Sequence, residues 1–304
     1  MNELFSFSLK QIVSRKGPLK ERKPLLILYS HGGITSMLQA AEKAASQPLS
    51  ETNYSFLKRL AEVLVGLGTQ LCSLYGKEDD VAKPDTFVMY LSALLALTGH
   101  PSLSINHITT GLWLTLFRHD SISSDSDLVG VLNSWINITA QKLRKVGYPS
   151  RNDDAACAYS RLDFESDEDF STFSHRLRTD ILEAVRLATS IAPLVTFSYA
   201  EHWLQQQLEK AAPTELCTPL SEAVLEWEVI AVFLDCVVSK STALAVKEGC
   251  QPLPSFALNG LQLLESCLRY QSNDPLVLSG LLSCISAMFI FVKQDPQRVQ
   301  GNLI

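Results

Sequence analysis

A short acidic segment with interleaved aromatic residues is the first part of this sequence whose residue types and spacing suggest binding chemistry. The segment comprises Asp163, Phe164, Glu165, Asp167, Glu168, Asp169 and Phe170. Aromatic side chains supply contact area in protein interfaces, and carboxylates steer a basic surface toward them. The segment is therefore a candidate docking site for a basic protein. The alternative is a capped helix start beside an exposed loop, because Ser166 precedes acids that the helix dipole favours in a first turn.

A basic segment near the start of the chain is the second candidate. It comprises Arg15, Lys16, Lys20, Arg22 and Lys23, placed around Gly17-Pro18. The glycine and proline predict a turn between helices, and the charges make that turn strongly cationic. The segment is either a solvated turn or a contact for phosphate groups or for an acidic partner.

Signatures of catalysis and of metal binding are missing from the sequence. The six histidines are scattered outside recognisable metal motifs, and none of the seven cysteines forms a C-x-x-C pair. Gly32-Gly33 is not followed by the lysine of a phosphate-binding loop, and there is no G-x-S-x-G turn. We expect a protein that is not an enzyme, with no cofactor, no metal and no small-molecule substrate. The cysteines are expected to be buried, reduced thiols.

Helical periodicity dominates the elements that would position these segments. An i, i+3, i+4, i+7 spacing connects Phe56, Leu57, Leu60, Val63, Leu64, Leu67 and Leu71. We predict helices near 3–14, 22–46, 52–75, 84–98, 103–117, 125–146, 167–190, 194–211, 219–245, 255–270 and 275–293. Asp274-Pro275 predicts a helix start, with Asp at the N-cap and Pro at the first helical position.

The number and near-even spacing of these helices predict an all-α fold, an α-solenoid of HEAT-type antiparallel helix pairs. We expect residues 1–304 to form a single array. Residues 147–165 are rich in Gly, Pro, Ser, Asn and Asp, which predicts a projecting loop. A four-helix bundle with additional helices is the structural alternative.

Composition narrows the class of protein further. Hydrophobic residues make up 46% of the 304 residues, which is sufficient for a packed interior, and the formal net charge is −6. A negative chain argues against autonomous RNA binding, although a local basic face can still exist. The first residues lack a secretory signal, and serines interrupt the most apolar stretch, 276–292. We expect a soluble intracellular protein without a membrane partner.

Five stretches together resemble the exportin-five family of karyopherins, within the importin-beta superfamily. The stretches are Arg15–Leu25, Phe56–Leu60, Leu116–His119, Tyr159–Phe170 and Asp274–Ser279. They occur in the family's order and at similar spacing, over nearly the whole chain from about residue 13 to about 297. The basic first stretch and the acidic fourth stretch are the most specific.

The resemblance implies a fold and a function that composition does not. Members of this family are HEAT-repeat superhelices that bind the GTP form of the small GTPase Ran. With Ran they enclose structured RNA, chiefly hairpin precursors of microRNAs and short duplexes, and carry it from nucleus to cytoplasm. Full-length members are several times longer, so the chain is expected to be an internal piece of such a receptor. A helical protein-interaction scaffold unrelated to transport is the alternative function.

Overall fold

The computed structural model describes residues 10–14, 17–76, 81–247 and 254–294, and within this part the chain is helical, without strands. A four-residue helix, Leu19–Arg22, and a 3-10 helix, Lys23–Tyr29, precede the longer helices. These are α1 (His31–Ala45), α2 (Glu51–Leu74), α3 (Phe87–Gly99), α4 (Leu103–Arg118), α5 (Ser126–Lys142), α6 (Ala155–Asp163), α7 (Asp167–Ile191), α8 (Pro193–Leu208), α9 (Glu222–Lys247), α10 (Pro254–Arg269) and α11 (Pro275–Gln294). The predicted all-α fold class is confirmed.

The chain divides into two compact units. The first contains residues 1–138 and 148–184, and the second contains residues 139–147 and 185–304. Helices α5 and α7 contribute residues to both units. The prediction of one continuous array over residues 1–304 stays a prediction.

Helices of the first unit pack in successive pairs. Helix α1 packs on α2 and α3 packs on α4, while α2 and α4 also contact each other across the pairs. Gly68 of α2 permits this close approach, because a Cβ atom there would lie 2.7 Å from Cδ2 of Leu112 on α4. Trp113, Phe117 and Trp135 form an aromatic cluster in the interior, with ring centroids 4.9–6.0 Å apart.

The second unit repeats this packing with four helices. Helix α8 packs on α9 and α10 packs on α11, and the equivalent helices of the two pairs, α8 with α10 and α9 with α11, are also in contact. Such pairwise stacking of neighbouring helix pairs is how solenoid repeats bury their apolar faces. Asp274 begins α11 as predicted, because its Oδ1 accepts hydrogen bonds from the backbone N–H groups of Leu276 (2.9 Å) and Val277 (3.0 Å).

The segment 147–165 was predicted as a projecting loop, and this is wrong for its second half. Helix α6 occupies Ala155–Asp163. The polar residues 149–154 do form turns, but the run Ala155-Ala156-Cys157-Ala158 has high helix propensity. Cys157 is buried, so this short helix packs on the first unit and does not project.

The helix predicted near 22–46 is interrupted before its middle. The 3-10 helix Lys23–Tyr29 ends at Ser30, whose side chain accepts a hydrogen bond from the Gly33 N–H at 3.3 Å and begins α1. A Cβ atom on Gly33 would lie 2.4 Å from the Leu28 carbonyl oxygen, so glycine is required for this sharp change of direction. The helix predicted near 3–14 lies mostly outside the described residues.

In the part of the chain that the structure describes, two helices are long and apolar enough to cross a membrane, judged by length and composition alone. They are Glu222–Lys247, with a mean hydropathy of 1.9, and Pro275–Val292, with 2.2. The serines that interrupt 276–292 do not bring its mean hydropathy below this limit, because they are outweighed by their apolar neighbours. A core helix of a helical array has the same composition, and half of the apolar window in Glu222–Lys247 is buried in the second unit.

Candidate partner-binding surface

Asp163 is the most strongly connected member of the acidic segment. Its carboxylate accepts hydrogen bonds from Lys58 Nζ (2.6 Å), Tyr54 Oη (2.5 Å) and Ser104 Oγ (2.7 Å). The Asp163 side chain is only 4% exposed. Asp163 therefore connects the end of α6 to α2 and α4, and it does not face a partner.

Aromatic packing surrounds this carboxylate. The Tyr54 ring lies 5.1 Å from the Tyr159 ring, which stands edge-on to His100 at 4.9 Å. The Ser102 hydroxyl lies 2.7 Å from Tyr54 Oη. Burial and the hydrogen bond to Asp163 raise the pKa of Tyr54 above its ordinary value, so that the phenol remains protonated and donates to the carboxylate.

The first turn of α7 carries the remaining carboxylates. The Ser166 hydroxyl accepts the Asp169 N–H at 3.1 Å and donates to the Asp169 carboxylate at 2.7 Å, which caps the helix. The Asp167 carboxylate accepts hydrogen bonds from the backbone N–H and the hydroxyl of Ser150. The capped helix start predicted as one interpretation is thus present.

Three acidic residues remain exposed in this segment, namely Glu165, Glu168 and Asp169, and we call them the acidic corner. Neither the Glu165 nor the Glu168 side chain has a hydrogen bond or an ion pair with any part of the chain that the structure describes. Their charges are therefore unneutralised and close to the N-terminus of α7. An arrangement of this kind attracts a positively charged surface.

The two phenylalanines differ in their availability to a partner. Phe170 is 2% exposed and belongs to the core, so the prediction that its ring contacts a partner does not hold. Phe164 is half-buried, with its ring 5.7 Å from Phe170 and 4.8 Å from Phe173. Phe164 directly precedes the exposed Glu165 in the chain. Of the two rings, Phe164 is the one that can contribute apolar contact area.

The basic segment is described only in part. Arg15 and Lys16 lie outside the described residues, as does the side chain of Lys20 in the helix Leu19–Arg22. Lys23 is half-buried.

Arg22 has a structural contact within the first unit. Its Nη1 donates hydrogen bonds to Gln70 Oε1 and Ser73 Oγ, both at 3.0 Å, and so fixes the short helix against α2. These hydrogen bonds give Arg22 a structural role, and its contact with phosphate groups or an acidic partner stays a prediction.

Sequence reasoning missed the residues that bind Asp163. Tyr54, Lys58 and Ser104 are separated from it by 59 to 109 positions, and none stands out by type. One signal was present, because Lys58 and Asp163 fall in two of the five stretches that carry the family resemblance. Within the described ranges, no group of three or more His, Cys, Asp or Glu side chains could hold a metal ion.

Comparisons with known proteins point to one family. The model of the Exportin-5 family matches residues 51–303. Exportin-5 of Homo sapiens is 37% identical over 299 residues, which are 94% of this chain and 24% of the human protein. Exportin-5 of Mus musculus is also 37% identical, over 93% of this chain and 24% of the mouse protein. Exportin-5 of Dictyostelium discoideum is 22% identical, over 82% of this chain and 22% of the Dictyostelium protein. The chain thus spans about a quarter of the length of these relatives.

Proposed function

Because the chain belongs to the exportin-5 family, we propose that it forms the middle part of a nuclear export receptor. The receptor binds Ran in its GTP form, encloses structured small RNAs such as microRNA precursors and short duplexes, and moves between nucleus and cytoplasm. The observation that carries this proposal is the family match over residues 51–303, which contain helices α2 to α11. The chain acts by binding and catalyses no reaction.

The acidic corner is the proposed contact for Ran. Glu165 and Glu168 are exposed and unpaired within the described chain, and Asp169 adds a third carboxylate at the start of α7. RNA is an unsuitable partner here, because phosphates and carboxylates repel each other. A basic surface of a protein is attracted, and Phe164 supplies an apolar edge beside the charges.

The basic segment is the proposed contact for RNA phosphates. Its candidate residues are Arg15, Lys16, Lys20 and Lys23, since Arg22 is bound to α2. The whole chain carries a net charge of −6, so RNA binding requires such a local concentration of cations.

A charge reversal in a full-length receptor carrying this chain tests the Ran contact. Glu165→Lys with Glu168→Lys should slow association with Ran loaded with a GTP analogue by about 3- to 10-fold at low salt, and less at physiological salt, where screening is stronger. The matched control is Glu209→Lys with Glu215→Lys. These are two exposed glutamates of the second unit, and their reversal changes the net charge equally. Stopped-flow fluorescence measures both rates.

Equal rates for the two double variants would remove the acidic corner from the Ran contact. Binding of Ran that does not distinguish GTP from GDP would contradict the export receptor itself. That second result would favour a helical scaffold unrelated to transport, because a scaffold has no reason to distinguish the two nucleotides.

A further inference from the structure

The hydrogen bonds to the Asp163 carboxylate have a further role within the proposed function. We infer that Tyr54, Lys58 and Ser104 are positioning residues, which act through Asp163 to hold the acidic corner in one arrangement for a basic partner. The inference rests on the proposed contact between the acidic corner and Ran, and it adds which residues set the geometry of that contact.

The place of Asp163 in the chain supports this role. Asp163 is the last residue of α6, and the acidic corner begins two residues later at Glu165. Tyr54 and Lys58 lie one turn apart on α2, and Ser104 lies in the first turn of α4. One carboxylate therefore joins three helices where the chain leaves α6 toward the corner.

The far end of the same short segment is held as well. Ser150 binds the Asp167 carboxylate, and Ser166 caps α7 through Asp169. The residues between Asp163 and Asp167 are thus fixed at both ends. A partner that binds fixed carboxylates loses less conformational freedom on association than one that must first order a mobile segment.

A charge-neutral variant separates this positioning role from electrostatics. Tyr54→Phe with Ser104→Ala removes two of the three hydrogen bonds to Asp163 and leaves every charge in place. The matched control is Tyr90→Phe, since Tyr90 is also buried in the first unit and donates to the Leu64 carbonyl at 2.7 Å, ten residues from Tyr54 along α2. Both variants lose hydroxyl groups that donate hydrogen bonds within the first unit, but only the first removes hydrogen bonds to Asp163.

Hydrogen exchange is the first measurement. The backbone N–H groups of Phe164, Asp169 and Phe170 are hydrogen-bonded, at 3.0, 3.1 and 3.1 Å. They should exchange about 5- to 10-fold faster in the double variant than in the Tyr90→Phe control, because losing two part-buried hydrogen bonds to Asp163 favours local opening.

Binding of Ran loaded with a GTP analogue to the full-length receptor is the second measurement. The double variant should release Ran about 3- to 10-fold faster than the control, while the salt dependence of the association rate remains that of the unaltered receptor. A change in salt dependence would indicate altered charge and would overturn the positioning role.

The outcomes distinguish this inference from the proposed function. Unchanged exchange at residues 164–170 overturns the inference, whatever Ran does. Faster exchange with unchanged release of Ran overturns the positioning role, while the export receptor proposal remains. If the Glu165 and Glu168 reversal also has no effect, the acidic corner itself is excluded as the Ran contact.

Discussion

Lys58 Nζ lies 2.6 Å from Asp163 Oδ1, although the two residues are 105 positions apart in the sequence. The Asp163 side chain is almost completely buried, whereas the Lys58 side chain is 36% exposed and its Nζ lies over the Tyr54 ring at 5.1 Å from the centroid. Within the first unit, the ion pair links α2 to the last residue of α6.

Lys58→Met should destabilise the first unit by about 1–2 kcal/mol, because it leaves the buried Asp163 carboxylate without its cation. Adding Asp163→Asn should recover part of this loss, since the uncompensated charge is then removed. Urea unfolding followed by tryptophan fluorescence measures the change. The control is Lys145→Met, which removes a more exposed ion pair with Glu228 and should change stability by about 0.5 kcal/mol or less. Equal losses of stability in the two lysine variants would show that burial of the Asp163 carboxylate does not strengthen its ion pair.

Arg22→Met should lower stability by about 1–2 kcal/mol, because the hydrogen bonds to Gln70 and Ser73 are lost. The salt dependence of RNA binding by the full-length receptor should not change. Replacement of Arg15, Lys16 and Lys20 by Gln should instead weaken RNA binding and reduce the slope of log K against log salt by about 2–3. Fluorescence anisotropy with a short RNA hairpin measures the RNA affinity and its salt dependence for both variants. A reduced slope for Arg22→Met would show that Arg22 contacts RNA phosphates.

Asp274 should make the second unit sensitive to acid. Hydrogen bonds from the backbone N–H groups of Cys217, Val277 and Leu276 hold the pKa of Asp274 below its ordinary value. A carboxyl whose pKa is lower in the folded state stabilises the fold above the pKa of the unfolded chain, about 3.9, and this stabilisation is lost as the pH falls through the folded pKa. Asp274→Ala should lower Tm by about 2–4 °C at pH 7. The difference from the unaltered chain should shrink below about pH 3.5, and a constant difference down to pH 2 would exclude the carboxylate as its source.

Exposed apolar side chains on α11 should cause self-association of the isolated chain. Leu282 is 62% exposed and Phe289 is 55% exposed on this helix, which is the more apolar of the two long apolar helices. Leu282→Glu with Phe289→Glu should shift the sedimentation profile at micromolar concentration toward the monomer. The control is Ser279→Glu with Ser283→Glu, which adds the same charge to α11 without removing apolar surface. A monomeric unaltered chain would contradict this prediction.

Local sequence determined the helices and most of their ends. Apolar residues at helical spacing predicted α2, α4 and α9 within a few positions, and Asp274 was identified as the cap of α11 from its place before Pro275. These features depend on residues at most four positions apart, so they can be read from the chain directly. The segment 147–165 was predicted less well, because polar residues at its start obscured the short helix at its end.

Only the tertiary structure decided which residues of the acidic segment are buried and which are exposed. In the sequence, Asp163 and Glu168 are equivalent carboxylates of one acidic run. In the fold, Asp163 meets Tyr54, Lys58 and Ser104 from two distant helices, whereas Glu168 remains exposed. Likewise, Phe170 joins the core and Arg22 binds α2. The physical reason is that burial and long-range hydrogen bonds depend on which helix faces pack together, and residue type and local spacing leave that choice open.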